Sequence, residues 1–231
     1  MAAAAAHQVG LRFEKVDKRY GAVHALRKVT LAIAPGECVG LVGRNGSGKT
    51  TLLRIASGLT QPTGGALSYS GITENQNPQV GFVAHATMVY DELTAEENLL
   101  FFAQLLGVPD REKHVAELLG EVGLDERKDS LVRTFSRGMR QRVAIARALL
   151  ADPSLLLFDE PATGLDSEAT AWLTEHLRKL RDGGCTILMS LHGDSEVARL
   201  ATRAVRLDAG SVVADSRSGA TFQSVFSLTG G

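Results

Sequence analysis

GRNGSGKT, residues 43–50, lies between an apolar run, Cys38–Val42, and a second apolar run at residues 52–56 that favours a helix. The segment matches the pattern G-x-x-x-x-G-K-[ST], in which glycines let successive backbone N–H groups point inward towards an anion. A helix that starts near Gly48 adds the positive end of its dipole. A glycine-rich turn that only joins a strand to a helix is the alternative, but the full pattern with both flanking elements favours a phosphate-binding loop. The sequence therefore predicts a chain that binds a nucleoside triphosphate.

The side chains of this loop have separate expected roles. Lys49 is placed to reach the β- and γ-phosphates, both in binding and in catalysis. Thr50 is placed to ligate Mg²⁺ through its hydroxyl and also to contact the nucleotide. The other residues of the segment that we expect to contact ATP are Gly43, Asn45, Gly46, Ser47, Gly48 and Thr51. The expected cofactors are therefore ATP and Mg²⁺.

Composition limits the classes of partner. The chain has 231 residues, 44% of them hydrophobic, which is enough for one α/β domain with a sizeable core. Its 25 basic and 26 acidic residues give a formal charge of −1, so no basic field favours nucleic acid as a partner. Arginines cluster between Arg133 and Arg147, where a predicted helix should hold them in local contacts. Cys38 and Cys185 lie in apolar runs, and we expect both to be buried, reduced thiols.

Hydrophobic patterning predicts an α/β fold. Two alternating runs, residues 11–16 and 26–33, are typical of half-buried antiparallel strands, whereas the later apolar strands alternate with helices and indicate a parallel sheet. Further strands are predicted at 37–42, 66–70, 80–84, 155–158 and 186–190, a closing hairpin at 204–207 and 211–214, and helices at 94–106, 111–122, 137–150 and 167–181. We expect a phosphate-loop NTPase core with a mostly parallel sheet, an N-terminal antiparallel β subdomain and an inserted helical subdomain.

The boundaries of these parts follow from changes of pattern within one predicted domain, residues 1–231. The helical pattern opens on Thr94 and Glu97, which are spaced as a capping box. We assign residues 11–84 and 151–215 to the core with its antiparallel subdomain, and 85–150 to the helical subdomain. The ends, 1–8 and 217–231, are expected to be flexible or stay unassigned.

Two carboxylates follow the apolar strand at 155–158. Charge at the end of a strand that is buried on both faces lies at the carboxyl edge of the sheet, where ligands gather in open α/β folds. Asp159 is suited to hold Mg²⁺, and Glu160 is suited to polarise a water for attack on the γ-phosphate. Many strands end in a solvated acid, but the phosphate loop upstream favours a catalytic reading.

From about residue 11 to residue 214 the chain resembles the nucleotide-binding subunit of an ATP-binding cassette (ABC) transporter. Five motifs carry the resemblance in the family's order, in addition to the phosphate loop and the two carboxylates: KRYG (18–21), FSRGM (135–139), ARAL (146–149), TGLD (163–166) and SLH (190–192). The segment at 135–149 decides the comparison, because generic phosphate-loop ATPases and GTPases lack it.

The resemblance implies roles for residues outside the phosphate loop. Tyr20 is expected to stack on adenine, and His192 to contact the γ-phosphate and the attacking water. Ser136 is a good N-cap for the helix that follows, and Gly138 removes bulk from its first turn. In the family this turn, the signature turn, serves the γ-phosphate bound by a second subunit, so we expect two copies, or two homologous cassettes, to pair head to tail. Asp166, after the base, is placed among the nucleotide-binding residues.

The chain departs from the family pattern at four positions. His85 stands where the family has a glutamine, and we expect it to hydrogen-bond a magnesium-bound water, because Mg²⁺ prefers oxygen ligands. Arg137 and Met139 replace a small residue and a glutamine in the signature, and Leu191 replaces a threonine. No phosphate-contacting glycine, lysine or carboxylate is lost, so an active ATPase is expected.

The resemblance favours the motor subunit of a transporter, which drives an integral membrane permease. A soluble ABC-type ATPase of DNA repair or of ribosomes is the alternative, but such proteins usually carry coiled coils, fused cassettes or a basic surface. A non-catalytic nucleotide sensor is disfavoured by the complete catalytic set. The cargo is suggested only by likeness to small export ATPases, among them the haem exporter of cytochrome c maturation.

Location and docking are also expected from the sequence. No run approaches the ~20 apolar residues of a membrane span, and the alanines at 2–6 lack the features of a secretory signal. We therefore expect a cytoplasmic chain, peripheral on the inner face of the membrane through the permease. Helix 94–106 has more apolar residues than one buried face needs, and the surplus, with Met88 and Tyr90, is expected to form a groove for a permease helix.

Overall fold

The computed structural model describes residues 9–72, 78–191, 196–218 and 225. Within them the chain forms strands β1 (Gly10–Tyr20), β2 (Val23–Ile33), β3 (Cys38–Val42), β4 (Gly64–Ser70), β5 (Val80–Val83), β6 (Leu155–Asp159), β7 (Thr186–Ser190), β8 (Arg203–Asp208) and β9 (Ser211–Asp215). The α-helices are α1 (Lys49–Ala56), α2 (Ala95–Leu106), α3 (Arg111–Glu121), α4 (Arg137–Leu149) and α5 (Ser167–Asp182). Residues 1–8 and most of 217–231, which we expected to be flexible or unassigned, lie outside the described residues.

The first sheet is antiparallel, with strand order β2-β1-β4. Leu11, Phe13 and Val16 point from β1 into a core, as the alternation in the sequence predicts. Both β1 and β2 are longer than the predicted strands. Lys15 and Lys28 have left-handed backbone angles (φ 48° and 46°), and the strand register shifts beside them. Such bulges let a strand continue after its period-two pattern has been interrupted, so the pattern alone ends it too early.

The second sheet has six strands in the order β5-β6-β7-β3-β8-β9, parallel except for β9. Every residue of β3, β6 and β7 is buried, which is why these strands read as continuous apolar runs. The mostly parallel sheet and the closing β8–β9 hairpin are confirmed. Because β3 and β6 are parallel, the phosphate loop and the two carboxylates leave the same edge of the sheet.

The helices divide between two surroundings. Helix α1 packs against β6 and β7 beneath the phosphate loop, whereas α2, α3 and α4 pack on one another and α4 also lies against β5. Thr94 and Glu97 form the predicted capping box, since the Thr94 hydroxyl accepts from Glu97 N at 3.1 Å and the Glu97 carboxylate accepts from Thr94 N at 2.8 Å. The N-terminus of α2, next to the loop that carries His85, is thereby held in place.

The arginines between 133 and 147 make local contacts, as predicted. Arg133 and Arg140 pair with acidic residues of the loop before α2, Glu92 at 3.2 Å and Asp91 at 2.6 Å. Arg147 donates to the carbonyl oxygen of Met88 at 2.6 Å. These contacts tie α4 and the segment just before it to the loop at residues 85–93.

Both cysteines are free and buried, as expected. Burial raises the pKa of the Cys38 thiol and that of the Cys185 thiol to about 12, so both are protonated at neutral pH. None of the helices in the described ranges is long and apolar enough to cross a membrane.

Candidate active site

The phosphate loop connects β3 to α1 through glycines that no other residue can replace. Gly43 and Gly48 have φ of 148° and 109°. A Cβ atom on Gly43 would lie 2.2 Å from the carbonyl oxygen of Leu207, and one on Gly48 would lie 2.7 Å from a methyl carbon of Leu26. The loop therefore packs directly on β8 and β2, while Asn45 and Gly46 stay exposed at its tip. The loop is thus packed against two strands on one side and exposed to solvent at its tip.

Polar groups inside the loop fit a triphosphate. Ser47 is only 3% exposed, and its hydroxyl oxygen finds no hydrogen-bond partner in the described residues. The Lys49 ammonium is buried and donates to the carbonyl oxygens of Gly43 at 2.7 Å and Arg44 at 3.2 Å. Burial lowers the pKa of Lys49, and the nearby carboxylates of Glu160 and Asp159 act against that shift. A buried cation beside an unpartnered hydroxyl is suited to phosphate oxygens.

A chain of oxygen atoms joins the loop to the ends of β6 and β7. The Thr50 hydroxyl donates to Asp159 Oδ1 at 3.1 Å, and the Ser190 hydroxyl donates to the same oxygen at 2.7 Å. In the described residues no three His, Cys, Asp or Glu side chains cluster as a metal site. The Thr50 hydroxyl and the Asp159 carboxylate are adjacent oxygen donors, and together with the phosphates they would suit Mg²⁺, which prefers oxygen ligands.

Glu160, which follows Asp159 at the end of β6, has a strained backbone conformation. Its φ is 53°, a left-handed value that is rare for a residue other than glycine. Its backbone N–H donates to the Ser190 hydroxyl at 2.8 Å, and the Thr163 hydroxyl donates to its carboxylate at 3.4 Å. His85 Nδ1 lies 3.8 Å from the same carboxylate, so the expected partner of the magnesium-bound water stands beside the expected base.

The structure brings Ser136, Gly138 and Asp166 together as a second group. Ser136 caps α4 by accepting from Met139 N at 3.2 Å, and Asp166 caps α5 by accepting from Ala169 N at 2.8 Å. A Cβ on Gly138 would lie 2.9 Å from the Cβ of Ala169, so the two helices begin side by side. In the part of the chain that the structure describes, no hydrogen bond or ion pair links this turn to the phosphate loop.

Three other predicted site residues have different settings. Thr51 is half-buried in the first turn of α1. Tyr20 ends β1 with 44% of its surface exposed, and the Lys18 ammonium lies 4.9 Å from the centre of its ring. An exposed ring at this point is available for a base to stack on. His192 lies outside the described residues.

Sequence reasoning did not assign roles to Ser190 and Thr163. Ser190 connects Asp159 to the backbone of Glu160, and Thr163 contacts the Glu160 carboxylate. A signal existed for Ser190, because a hydroxyl at the end of an apolar parallel strand lies at the ligand-binding edge. The hydrophobic pattern of the sequence does not show, however, that β7 lies next to β6 in the sheet.

Comparisons with known proteins find related sequences along most of the chain. The sequence profile of the ABC transporter family matches residues 26–163. Nod factor export ATP-binding protein I of Cupriavidus metallidurans is 38% identical over 214 residues, which span 90% of this chain and 71% of that protein. The ABC transporter ATP-binding protein NatA of Bacillus subtilis is 38% identical over 199 residues, 83% of this chain and 81% of that protein.

Solved structures give the same result at the level of the fold. A dimeric ATP-binding cassette in a post-hydrolysis state, bound to ADP and Pi, superposes with a TM-score of 0.79 at 31% identity. The match covers 89% of this chain and 97% of that chain. A second dimeric structure, of a bacterial ABC transporter cassette, has a TM-score of 0.78 at 30% identity over the same shares of the two chains.

Proposed function

Because this chain belongs to the ABC transporter family and is its ATP-hydrolysing cassette, we propose that it is the motor subunit of an export-type transporter. Two copies, or this chain and a homologous cassette, pair head to tail around two ATP molecules. The pair drives an integral membrane permease, and the permease holds the cassette at the inner face of the membrane. The export assignment rests on the Nod factor export relatives.

The observation that carries the proposal is the division of the site. Phosphate loop and carboxylates lie at the edge of the six-stranded sheet, whereas the Ser136 turn lies at the start of α4 and bonds only locally. A helix N-terminus carries the positive end of the helix dipole, so the first turn of α4 is suited to a phosphate from another molecule. The two similar structures are both described as dimeric, which supports the pairing.

Within one composite site, the residues divide the work. Ser47, Lys49 and the backbone of the phosphate loop bind and orient the phosphates, and Tyr20 stacks on the adenine. Thr50 and Asp159 hold Mg²⁺, which neutralises phosphate charge when bound. Glu160 accepts a proton from the attacking water, while His85 and His192 help to position that water. Ser136, Gly138 and Asp166 meet the nucleotide from the second copy.

Mixing two inactive variants tests whether the sites are shared. A Lys49→Ala copy paired with a Ser136→Arg copy has both defects in one site and none in the other. The mixture should recover activity that neither pure variant has. Sites that act independently would give about a quarter of the wild-type ATPase rate, because random pairing makes half of the dimers mixed and each keeps one intact site, and coupling between the two sites would lower this value. The measurement is phosphate release per subunit, with each pure variant assayed alone.

A mixture of Lys49→Ala with Thr50→Ala is the matched control. Both defects lie in the phosphate loop, so every pairing leaves two damaged sites and no recovery is expected. Tandem purification on two different tags verifies that mixed dimers form. If they form and the first mixture recovers nothing, independent sites shared between copies are contradicted.

An exposed apolar surface on α2 and the loop before it supports a docking site for the permease. We define the docking surface as Met88, Tyr90, Phe101, Leu105 and Leu106, which are between 41% and 67% exposed. Tyr90 packs on Phe101 with ring centres 5.4 Å apart, so the loop residue and the helix residue belong to one aromatic cluster. The other face of α2 is covered by the core. A patch of this kind beside the loop of His85 supports docking of a short permease helix.

Replacing Tyr90 with glutamate should separate docking from hydrolysis. A charge in the middle of the docking surface would have to be desolvated against an apolar helix, so recovery of the membrane partner should fall at least about tenfold. The basal ATPase should persist, because the Tyr90 side chain does not contact the phosphate loop or the carboxylates. The measurement is co-purification of the membrane protein that wild type retains, beside ATPase activity.

Leu59→Glu is the control, since Leu59 is 63% exposed but lies outside the docking surface. It should retain the partner as wild type does. Equal recovery of the partner by Tyr90→Glu and wild type would place docking elsewhere.

The cargo expected from the sequence finds no support in the relatives. A haem-type cargo, with a part in cytochrome c maturation, rested on resemblance, and the relatives described above are named for Nod factor export and as NatA. The chain is therefore proposed to serve an exporter in which the permease selects the cargo. Identification of the membrane protein that co-purifies with the chain tests it.

A further inference from the structure

The turn at residues 160–166 holds the expected base in an unfavourable conformation. Glu160 has its left-handed φ of 53°, and the turn is closed by backbone hydrogen bonds from Thr163 N to Glu160 O at 3.2 Å and from Leu165 N to Ala162 O at 3.2 Å. A left-handed non-glycine residue persists only where the surroundings determine it. The Ser190 hydroxyl holds the start of the turn, the Asp166 cap holds its end, and Ala162 and Leu165 pack against the core. Gly164, between them, is the point at which α4 contacts the turn.

Arg137 supplies that contact from α4. A Cβ on Gly164, in the middle of the turn, would lie 2.8 Å from Arg137 Nε and 3.0 Å from Cζ. The guanidinium therefore lies directly on the Cα of Gly164, whose own φ is 72°. With the described residues, that guanidinium makes neither an ion pair nor a hydrogen bond. Its contact is with the turn, not with an acidic side chain.

The neighbouring residues keep this contact close. Gly138 lets the start of α4 approach Ala169 of α5, so the two helix N-termini cannot separate from the turn between them without losing that packing. The contact is made by the far end of the Arg137 side chain, so a small residue at position 137 would have no atoms to reach Gly164. The contact is thus a consequence of the arginine in FSRGM.

We propose that Arg137 is a positioning residue for Glu160, which it holds through Gly164, and that it couples the signature turn to the base of the same copy. The proposal rests on the proposed function, in which Ser136 meets the nucleotide of the second copy. A nucleotide bound there fixes the first turn of α4, and through Arg137 it fixes the turn at residues 160–166. Occupancy of one composite site then favours hydrolysis in the other, so ATP hydrolysis is cooperative.

A direct contact of Arg137 with the second copy's phosphate would give different results with lysine. Lysine keeps the charge and binds phosphate as a point charge, but it lacks the flat guanidinium that lies on Gly164. Lysine therefore replaces arginine in a phosphate contact and fails in the positioning role.

The first experiment compares Arg137→Ala and Arg137→Lys in steady-state ATPase assays on the full chain. Both variants should lower kcat about tenfold, within the range that a misplaced catalytic group costs, with KM changed less than about twofold and the Hill coefficient reduced towards one. Arg133→Ala is the matched control, because Arg133 is exposed and its guanidinium pairs with Glu92 in the loop at residues 85–93. It should keep the wild-type kcat and Hill coefficient. Wild-type kcat in Arg137→Lys would overturn the proposal.

The second experiment is a double-mutant cycle with Gly164→Ala. In the wild-type background the new methyl displaces the guanidinium, and the strain at φ 72° adds to the loss of kcat. In the Arg137→Ala background only the strain remains, so the same substitution should cost severalfold less in kcat. Fully additive losses would show that the two residues act independently and would overturn the proposal.

Different results would contradict the proposed function and the role of Arg137. A wild-type chain that shows no ATPase activity would contradict the proposed function. An active, cooperative wild type whose Arg137 variants keep both kcat and the Hill coefficient would leave the proposed function standing and remove only the role of Arg137.

Discussion

Glu160→Gln should lower the ATPase rate by about 10²- to 10⁴-fold, the usual contribution of a general base, while ATP still binds. Glutamine has the shape of glutamate and keeps a hydrogen-bonding group beside Thr163 and His85, but it cannot accept the proton of the attacking water. Since hydrolysis is what reopens the proposed dimer, the variant should also accumulate as an ATP-bound dimer. The measurements are phosphate release and size-exclusion chromatography with and without ATP.

Glu175→Gln is the matched control for this prediction. The substitution removes the same charge from an exposed position on α5, where Glu175 pairs with Arg178. Its rate should equal that of wild type, and ATP should not trap its dimer. Turnover at the wild-type rate in Glu160→Gln would contradict the assignment of Glu160 as the base. It would also contradict the proposal that the turn at residues 160–166 positions that base.

Lys49→Ala should weaken binding as well as turnover. The ammonium is buried among the carbonyl oxygens of Gly43 and Arg44, and it is the expected charge-assisted donor to the phosphates in both the bound state and the transition state. Loss of such a contact, about 1.5–3 kcal/mol, corresponds to an affinity for ATP lowered about 10- to 100-fold. A fluorescent ATP analogue in direct titration measures the change.

Lys113→Ala provides the comparison, because Lys113 is exposed on α3 and lies 4.0 Å from Glu117. It removes an equal charge without approaching the nucleotide, and its affinity for ATP should match wild type. An unchanged affinity in Lys49→Ala would mean that the ammonium does not face the phosphates. The contrast with Glu160→Gln is also informative, since one variant loses binding and the other loses only chemistry.

Much of the candidate site could be predicted because its parts are consecutive in the chain. Gly43, Gly48 and Lys49 lie in one loop whose backbone angles only glycine adopts, so the local sequence implies the local shape. Asp159 and Glu160 follow an apolar run, and Ser136 precedes an amphipathic helix, which are signals of the same local kind. The strand lengths in the first sheet were less predictable, because the bulges at Lys15 and Lys28 depend on pairing with another strand.

The helix α2 shows a further limit of pattern reasoning. Its apolar residues repeat on more than one face, so the sequence predicts a surplus but does not tell which side chains are covered. In the structure Leu99 and Ala103 are fully buried, whereas Phe101, Leu105 and Leu106 are exposed. Which face is covered depends on how α3 and α4 pack, and helical spacing carries no information about the position of a neighbour.

By itself, the sequence determined the phosphate loop, the carboxylate pair, the capped signature helix and the class of fold. Each of these depends on residues that are close together in the chain, through their backbone preferences, hydrophobic period or capping chemistry. Only the tertiary structure decided that Ser190 bonds both Asp159 and Glu160, that His85 Nδ1 lies 3.8 Å from the Glu160 carboxylate, and that Arg137 lies on Gly164. These contacts join residues that are far apart in the chain. They depend on the order of strands in the sheet and on the approach of α4 to α5, which arise from the packing of the whole core and not from any local pattern.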